Sequence, residues 1–276
     1  MHLKDISNRK LRKKLLREDN LPLLEDCIEA EKEKLRPFMQ KDPLIWEEGE
    51  RKELDRKGLE DMLADIKPIV DTFLGVSIKD SPRIDYKGLF KLNPESASLI
   101  GNFSVCVYAA LRSFAMLSEQ DYLGSLIMGI PTLTGLCLEY VLYNHCFSAK
   151  TSYYTPIGNR IMVSKAKEHA EKFPHAVIAH EYAHYVQTRT GCSHLMNIIC
   201  REGHASGVSG HVLDVLGIPD FFAVAELKEV YDAISQNKRA NYHSIGTSAL
   251  YLEEMEQGRQ IYRQLLDGTF EFKVLK

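Results

Sequence analysis

The residues best placed to do chemistry are His180, Glu181 and His184, in the run Ala179-His180-Glu181-Tyr182-Ala183-His184-Tyr185. On a helix, residues four apart stand one turn from each other on one face, so the two imidazoles can converge on a single ion. Two neutral imidazoles at that spacing suit zinc. Glu181, on the rim of the same face, can take a proton from a water activated by the metal without binding the metal itself. A Lewis acid beside a general base is what hydrolysis needs. The flanks favour a helix: Pro174 suits a first turn, Gly191 suits the position after the last turn, and Val177, Ile178 and Val186 give an apolar component at helical spacing. The pattern predicts a helix from about Pro174 to Thr190.

A catalytic zinc takes three protein ligands and keeps a fourth position open. Downstream candidates are Glu202, His204 and His211. The metzincin arrangement needs Gly and His where this chain has Gln187 and Thr190, so that subclass is excluded. Glu202 is the better third ligand, because the interval after His184 allows the first helix to end at Gly191 and a second to return a carboxylate. Ser193 is the expected N-cap of that second helix, Met196, Ile199 and Cys200 give it an apolar side, and Glu202 falls two turns in.

His180-Glu181-Tyr182-Ala183-His184 followed by Glu202-Gly203-His204-Ala205 resembles the gluzincin group of zinc peptidases, in which a helix carrying E-G-x-A supplies the third ligand. The resemblance spans about Thr151 to Gly258. It implies zinc on His180, His184 and Glu202, with Glu181 as general base. Thermolysin-like members place an Asp four residues after the ligand Glu to orient a metal histidine, whereas this chain has Ser206, so orientation must come from elsewhere. In similar enzymes a strand before the active-site helix forms a sheet edge that pairs with substrate, a place that Arg160 to Ser164 would fill. The stretch Asn241 to Gly246, leading into Thr247 to Glu256, resembles the Y-x-x-G and helix of zinc aminopeptidases, where a Tyr or His donates to the oxyanion. Alignment on Gly246 gives that role to His243, and alignment on the following helix gives it to Tyr242. No G-x-M-E-N segment occurs, so a typical aminopeptidase of the group is not expected.

The elements that must position these residues are legible to different degrees. Ser152 to Ile157 and Arg160 to Val163 are rich in aromatic and β-branched residues, with Gly158-Asn159 between them, which predicts a hairpin with a two-residue loop. After the ligand Glu, Gly217-Ile218-Pro219-Asp220 ends one element and starts another, with helix through Ser235. At the other end, residues 1–68 form a charged helical region, in which the basic run from Arg9 to Arg17 reads as a solvated face paired with acids that follow. Pro37 and Pro43 bracket an expected break, and a helix from about Leu44 to Ile66 is expected to kink or stop at Pro68. Between Ile69 and Leu92 the pattern decides nothing. Ser96 to Met116 reads as a buried helix. Tyr122 to Leu138 is uncharged but interrupted by Gly124, Gly129, Pro131 and Gly135, which favours packed helices over a membrane span.

Composition bounds the class. With 276 residues, 45% apolar and 26% charged, the chain is an ordinary globular one, and a net charge of −3 argues against bulk nucleic-acid binding. The six cysteines form no C-x-x-C pair and read as free thiols, and charges recurring from Lys4 leave no signal-peptide core, so a cytoplasmic location is expected. The expected fold is α+β and predominantly helical: a zincin-like catalytic core over 69–276, with a small β-sheet and a helical N-terminal extension. The expected function is zinc-dependent hydrolysis of a peptide or protein substrate, the alternative a non-catalytic or regulatory zinc protein of the same fold.

Overall fold

The computed structural model describes residues 7–39, 56–87, 152–156, 158–164 and 174–275. The stretches Ser96 to Met116 and Tyr122 to Leu138 lie outside them. The chain divides into two compact units, and the first, residues 1–85, 152–163 and 167–276, holds every described helix. Of the second, the described residues are strand ends alone.

The described residues are mostly helical with a small mixed sheet of three strands. Helices α1 (Asn8–Leu15), α2 (Leu21–Met39) and α3 (Arg56–Leu74) precede strands β1 (Arg83–Lys87), β2 (Tyr153–Thr155) and β3 (Arg160–Ser164). Five more follow: α4 (Pro174–Arg189), α5 (Ile198–Leu216), α6 (Phe221–Ser235), α7 (Tyr242–Gln257) and α8 (Ile261–Asp267). Among these elements no helix is long and apolar enough to cross a membrane. The described cysteines Cys27, Cys192 and Cys200 are free and buried, and burial pushes the Cys200 thiol up to about 12.

α2 runs through Pro37 to Met39, and most of the break expected between Pro37 and Pro43, with the expected helix start at Leu44, lies outside the described residues. Pro68 does less than expected, since α3 continues through it to Leu74. A proline inside a helix forfeits one backbone bond. In α3 that loss is offset by a buried stripe of Leu59, Leu63, Ile66, Val70 and Leu74, which packs against α4. The stop comes at Gly75, where Gly75 N–H donates to Thr72 O and Val76 N–H to Asp71 O.

The hairpin forms, but with a longer loop. Thr155 pairs with Arg160 in antiparallel register, so residues 156–159 make the connection. Pro156 has no N–H to give a ladder, which ends the pairing there, and Gly158 and Asn159 take up the positive φ values of 79° and 52° that the turn needs. The sheet order is β1-β3-β2. The expectation that Arg160 to Ser164 forms the edge is therefore corrected: among the described strands β3 lies between β1 and β2, and β2 packs beside α4.

α5 lies between α4 and α7 at the centre of this unit. Its contact with α7 is made by two glycines. A Cβ on Gly203 would sit 2.2 Å from Gly246 O, and one on Gly246 would sit 2.3 Å from Ile199 O. Backbone meets backbone there, and no larger residue fits. Because Gly203 follows Glu202 and Gly246 lies one turn after His243, this close approach brings the start of α7 to the ligand-bearing turn of α5.

Candidate metal centre

α4 is turned to a definite face by its other side. Tyr182, between the two histidines in sequence, donates to Asp71 Oδ1 at 3.0 Å and receives a bond from Lys67 Nζ at 3.1 Å. Tyr185 donates to Asp80 O at 3.0 Å, and Arg189 pairs with the Asp80 carboxylate. These contacts to α3 and the segment after it stop α4 rotating about its axis. His180 and His184 then point at α5.

The second helix begins later than expected. Ser193 belongs to a short 3₁₀ turn, Cys192–His194, and the cap is Asn197, whose side chain accepts from Cys200 N–H at 3.0 Å. An Asn side chain three residues before an N–H is as good a cap as Ser. Glu202 is thus one turn into α5 rather than two, and it still returns to the metal face.

Three donors meet. His180 Nε2 and His184 Nε2 are 3.2 Å apart, and Glu202 Oε2 lies 3.4 Å from the first and 3.3 Å from the second. This triangle can hold a metal ion, and among the described residues it is the one such His/Cys/Asp/Glu group. The fit is quantitative. Bonds of about 2.0–2.1 Å in a tetrahedron require donor separations of about 3.3–3.4 Å. The triangle therefore matches one tetrahedral face without rearrangement.

The electrostatics agree. Burial alone would raise the Glu202 carboxyl, but hydrogen bonds from His180 and His184 hold it well below the usual carboxylate range. Burial pushes His184 down, yet Glu202 overcomes it and takes the imidazole up to about 9. A carboxylate kept ionised among imidazoles is an arrangement that a cation satisfies.

The other expected residues separate. Glu181 is buried at 7% exposure, and its Oε2 accepts from Tyr154 N–H of β2 at 2.6 Å. His243 brings Nδ1 to 3.3 Å from Glu202 Oε2 while its side chain stays half exposed. Its pKa is lowered by burial against the pull of Glu202. Tyr242, one residue earlier, is 51% exposed. Neither alternative ligand joins the triangle. His211 stacks on Phe73 at 3.9 Å between ring centres and accepts from Arg259 at 2.9 Å. His204 is fully buried with Nδ1 3.0 Å from Gln187 Nε2, and burial takes it down to about 3.

The residue that sequence reasoning missed is Gln187, whose Oε1 lies 2.9 Å from His184 Nδ1. It faces the ring nitrogen of His184 that is turned away from the triangle. The signal was present: three residues after His184 is the adjacent turn of the same helix face. Comparison with protein-family models, curated proteins and solved structures finds no match to this chain.

Proposed function

We propose that this chain is a zinc-dependent peptidase of gluzincin type, with a zincin-like core. The observation that carries the reading is the near-equilateral triangle of His180, His184 and Glu202, with edges of 3.2–3.4 Å, on a helix where Glu181 follows the first ligand and its charge acts on His184. Two imidazoles and one carboxylate are the donor set of catalytic zinc in hydrolases. When bound, the metal supplies Lewis acidity that activates water and polarises a carbonyl.

The remaining work belongs to the chain. Glu181 Oε2 is held by the Tyr154 N–H, which leaves Oε1 to take the proton from the attacking water. That proton then passes from Oε1 to the leaving amine, a general acid–base cycle on one carboxylate. What supports His243 over Tyr242 as the residue facing the oxyanion is the approach of its Nδ1 to Glu202. The peptide lies extended across the triangle, beside the sheet whose strand β2 holds Glu181.

The test is elemental analysis of the purified chain, with hydrolysis of a peptide library measured before and after chelation. One zinc per chain and chelator-sensitive cleavage are expected. Glu181→Gln keeps the three ligands and should keep the zinc while activity falls about 10²- to 10⁴-fold. Unchanged turnover in that variant removes Glu181 from the mechanism. A zinc-loaded wild type that cleaves nothing establishes instead the non-catalytic or regulatory reading.

A further inference from the structure

We propose that Gln187 is a positioning residue that sets the tautomer of His184, so that the imidazole offers its Nε2 lone pair to the metal. The proposal rests on His184 being a metal ligand and is independent of peptidase activity.

The assignment follows from what each atom can do. Gln187 is 1% exposed, and its Nε2 carries two hydrogens. One goes to Arg201 O at 3.0 Å, a carbonyl that can only accept. This fixes the orientation of the amide, because the flipped form would set two oxygens against each other. The second hydrogen points to His204 Nδ1 at 3.0 Å, which must therefore be the accepting nitrogen. Oε1 is left facing His184 Nδ1 at 2.9 Å. An amide oxygen cannot donate, so the hydrogen lies on His184 Nδ1. The lone pair of the neutral ring is then on Nε2, the atom that meets His180 and Glu202.

The amide also couples the two ligand-bearing helices. Gln187 belongs to α4, and Arg201, whose carbonyl fixes it, immediately precedes Glu202 on α5. His204 completes the arrangement: it is fully buried, and its Nδ1 receives the second Gln187 hydrogen. A neutral amide, unlike the carboxylate common at such positions, adds no negative charge to the site.

The experiment uses the full chain, with zinc ion as titrant against a competing chelator. Gln187→Met keeps the length of the side chain and removes both its donor and its acceptor. The expected result is a folded variant, by metal-free thermal unfolding, whose zinc affinity is about 10- to 100-fold weaker. In zinc-loaded wild type, ring ¹⁵N spectra should show His184 with an exchange-protected hydrogen on Nδ1, and that protection should vanish in the variant. Equal affinity in the two proteins, or a wild-type spectrum with the hydrogen on Nε2, overturns the proposal. Should Gln187→Met not fold, the wild-type spectrum decides alone. A wild type that takes up no zinc overturns the metal site itself, a result distinct from either of the others.

Discussion

Glu253 on α7 and Glu202 on α5 are both carboxylates withdrawn from water, and their surroundings differ in kind. Glu253 is fully buried, and its oxygens accept four bonds: from Gln257 Nε2 at 2.7 Å and from the backbone N–H groups of Lys273, Val274 and Leu275 at 2.8–2.9 Å. Three of the four donors are backbone groups that cannot leave without unfolding the C-terminal tail. Glu202 instead faces the ring nitrogens of His180, His184 and His243 at 3.3–3.4 Å. Imidazoles are partners that can turn their lone pairs to a cation. A buried acid saturated by backbone is structural, whereas one surrounded by exchangeable donors is a site.

Loss of the structural carboxylate has the larger effect on stability. Glu253→Ala leaves the tail amides without acceptors and should cost about 3–5 kcal/mol in urea unfolding, since each lost buried partner costs about 1–3 kcal/mol. Zinc affinity should stay within about threefold of wild type. Glu202→Ala should do the opposite, lowering zinc affinity by more than the roughly 100-fold, about 2.7 kcal/mol, that loss of an outer partner costs at most. Competition titration reads both variants. Similar zinc affinities in the two would erase the distinction.

Gly246→Ala probes the packing that brings the two regions together. Its Cβ would lie 2.3 Å from Ile199 O and 2.7 Å from Gly203 N, both backbone atoms, so α7 must move away from α5. The expected loss is roughly 1–3 kcal/mol by thermal unfolding. The shift also takes His243 from Glu202, which a changed His243 ring ¹⁵N signal would report.

Glu226 is an intermediate case, a largely buried acid that accepts from the Thr247 hydroxyl. Burial pushes its carboxyl from 4.5 up to about 7. Between those values the folded chain binds a proton that the unfolded chain has released. Its contribution is therefore present at low pH, is lost as pH rises from about 4.5 to about 7, and is constant above. Glu226→Gln should flatten that decline and be about 1–2 kcal/mol more stable than wild type above neutrality. Urea midpoints across the pH range measure it, and an unchanged pH slope would show that another group titrates.

What the sequence by itself determined is whatever short-range periodicity controls. The placing of His180 and His184 on one helix face follows from a spacing of four, and the return of Glu202 follows from a helix, a break at Gly191 and a second helix. Asp220 as a cap is equally local, its side chain accepting from Phe222 and Ala223 N–H. Tertiary structure decided the rest, because the deciding partners are distant in the chain. Pro68 was carried within α3 by packing against α4, and the central place of β3 depended on β1, some 75 residues upstream. The choice of His243 rather than Tyr242 as the residue near Glu202 came from the glycine contact between α5 and α7. Gln187 stood on the right face from the start, but its amide is oriented by the Arg201 carbonyl and by His204, two groups on another helix. Spacing along one helix sets which side chains share a face; which atom of a side chain faces a metal is set by the hydrogen-bond partners that folding brings to it.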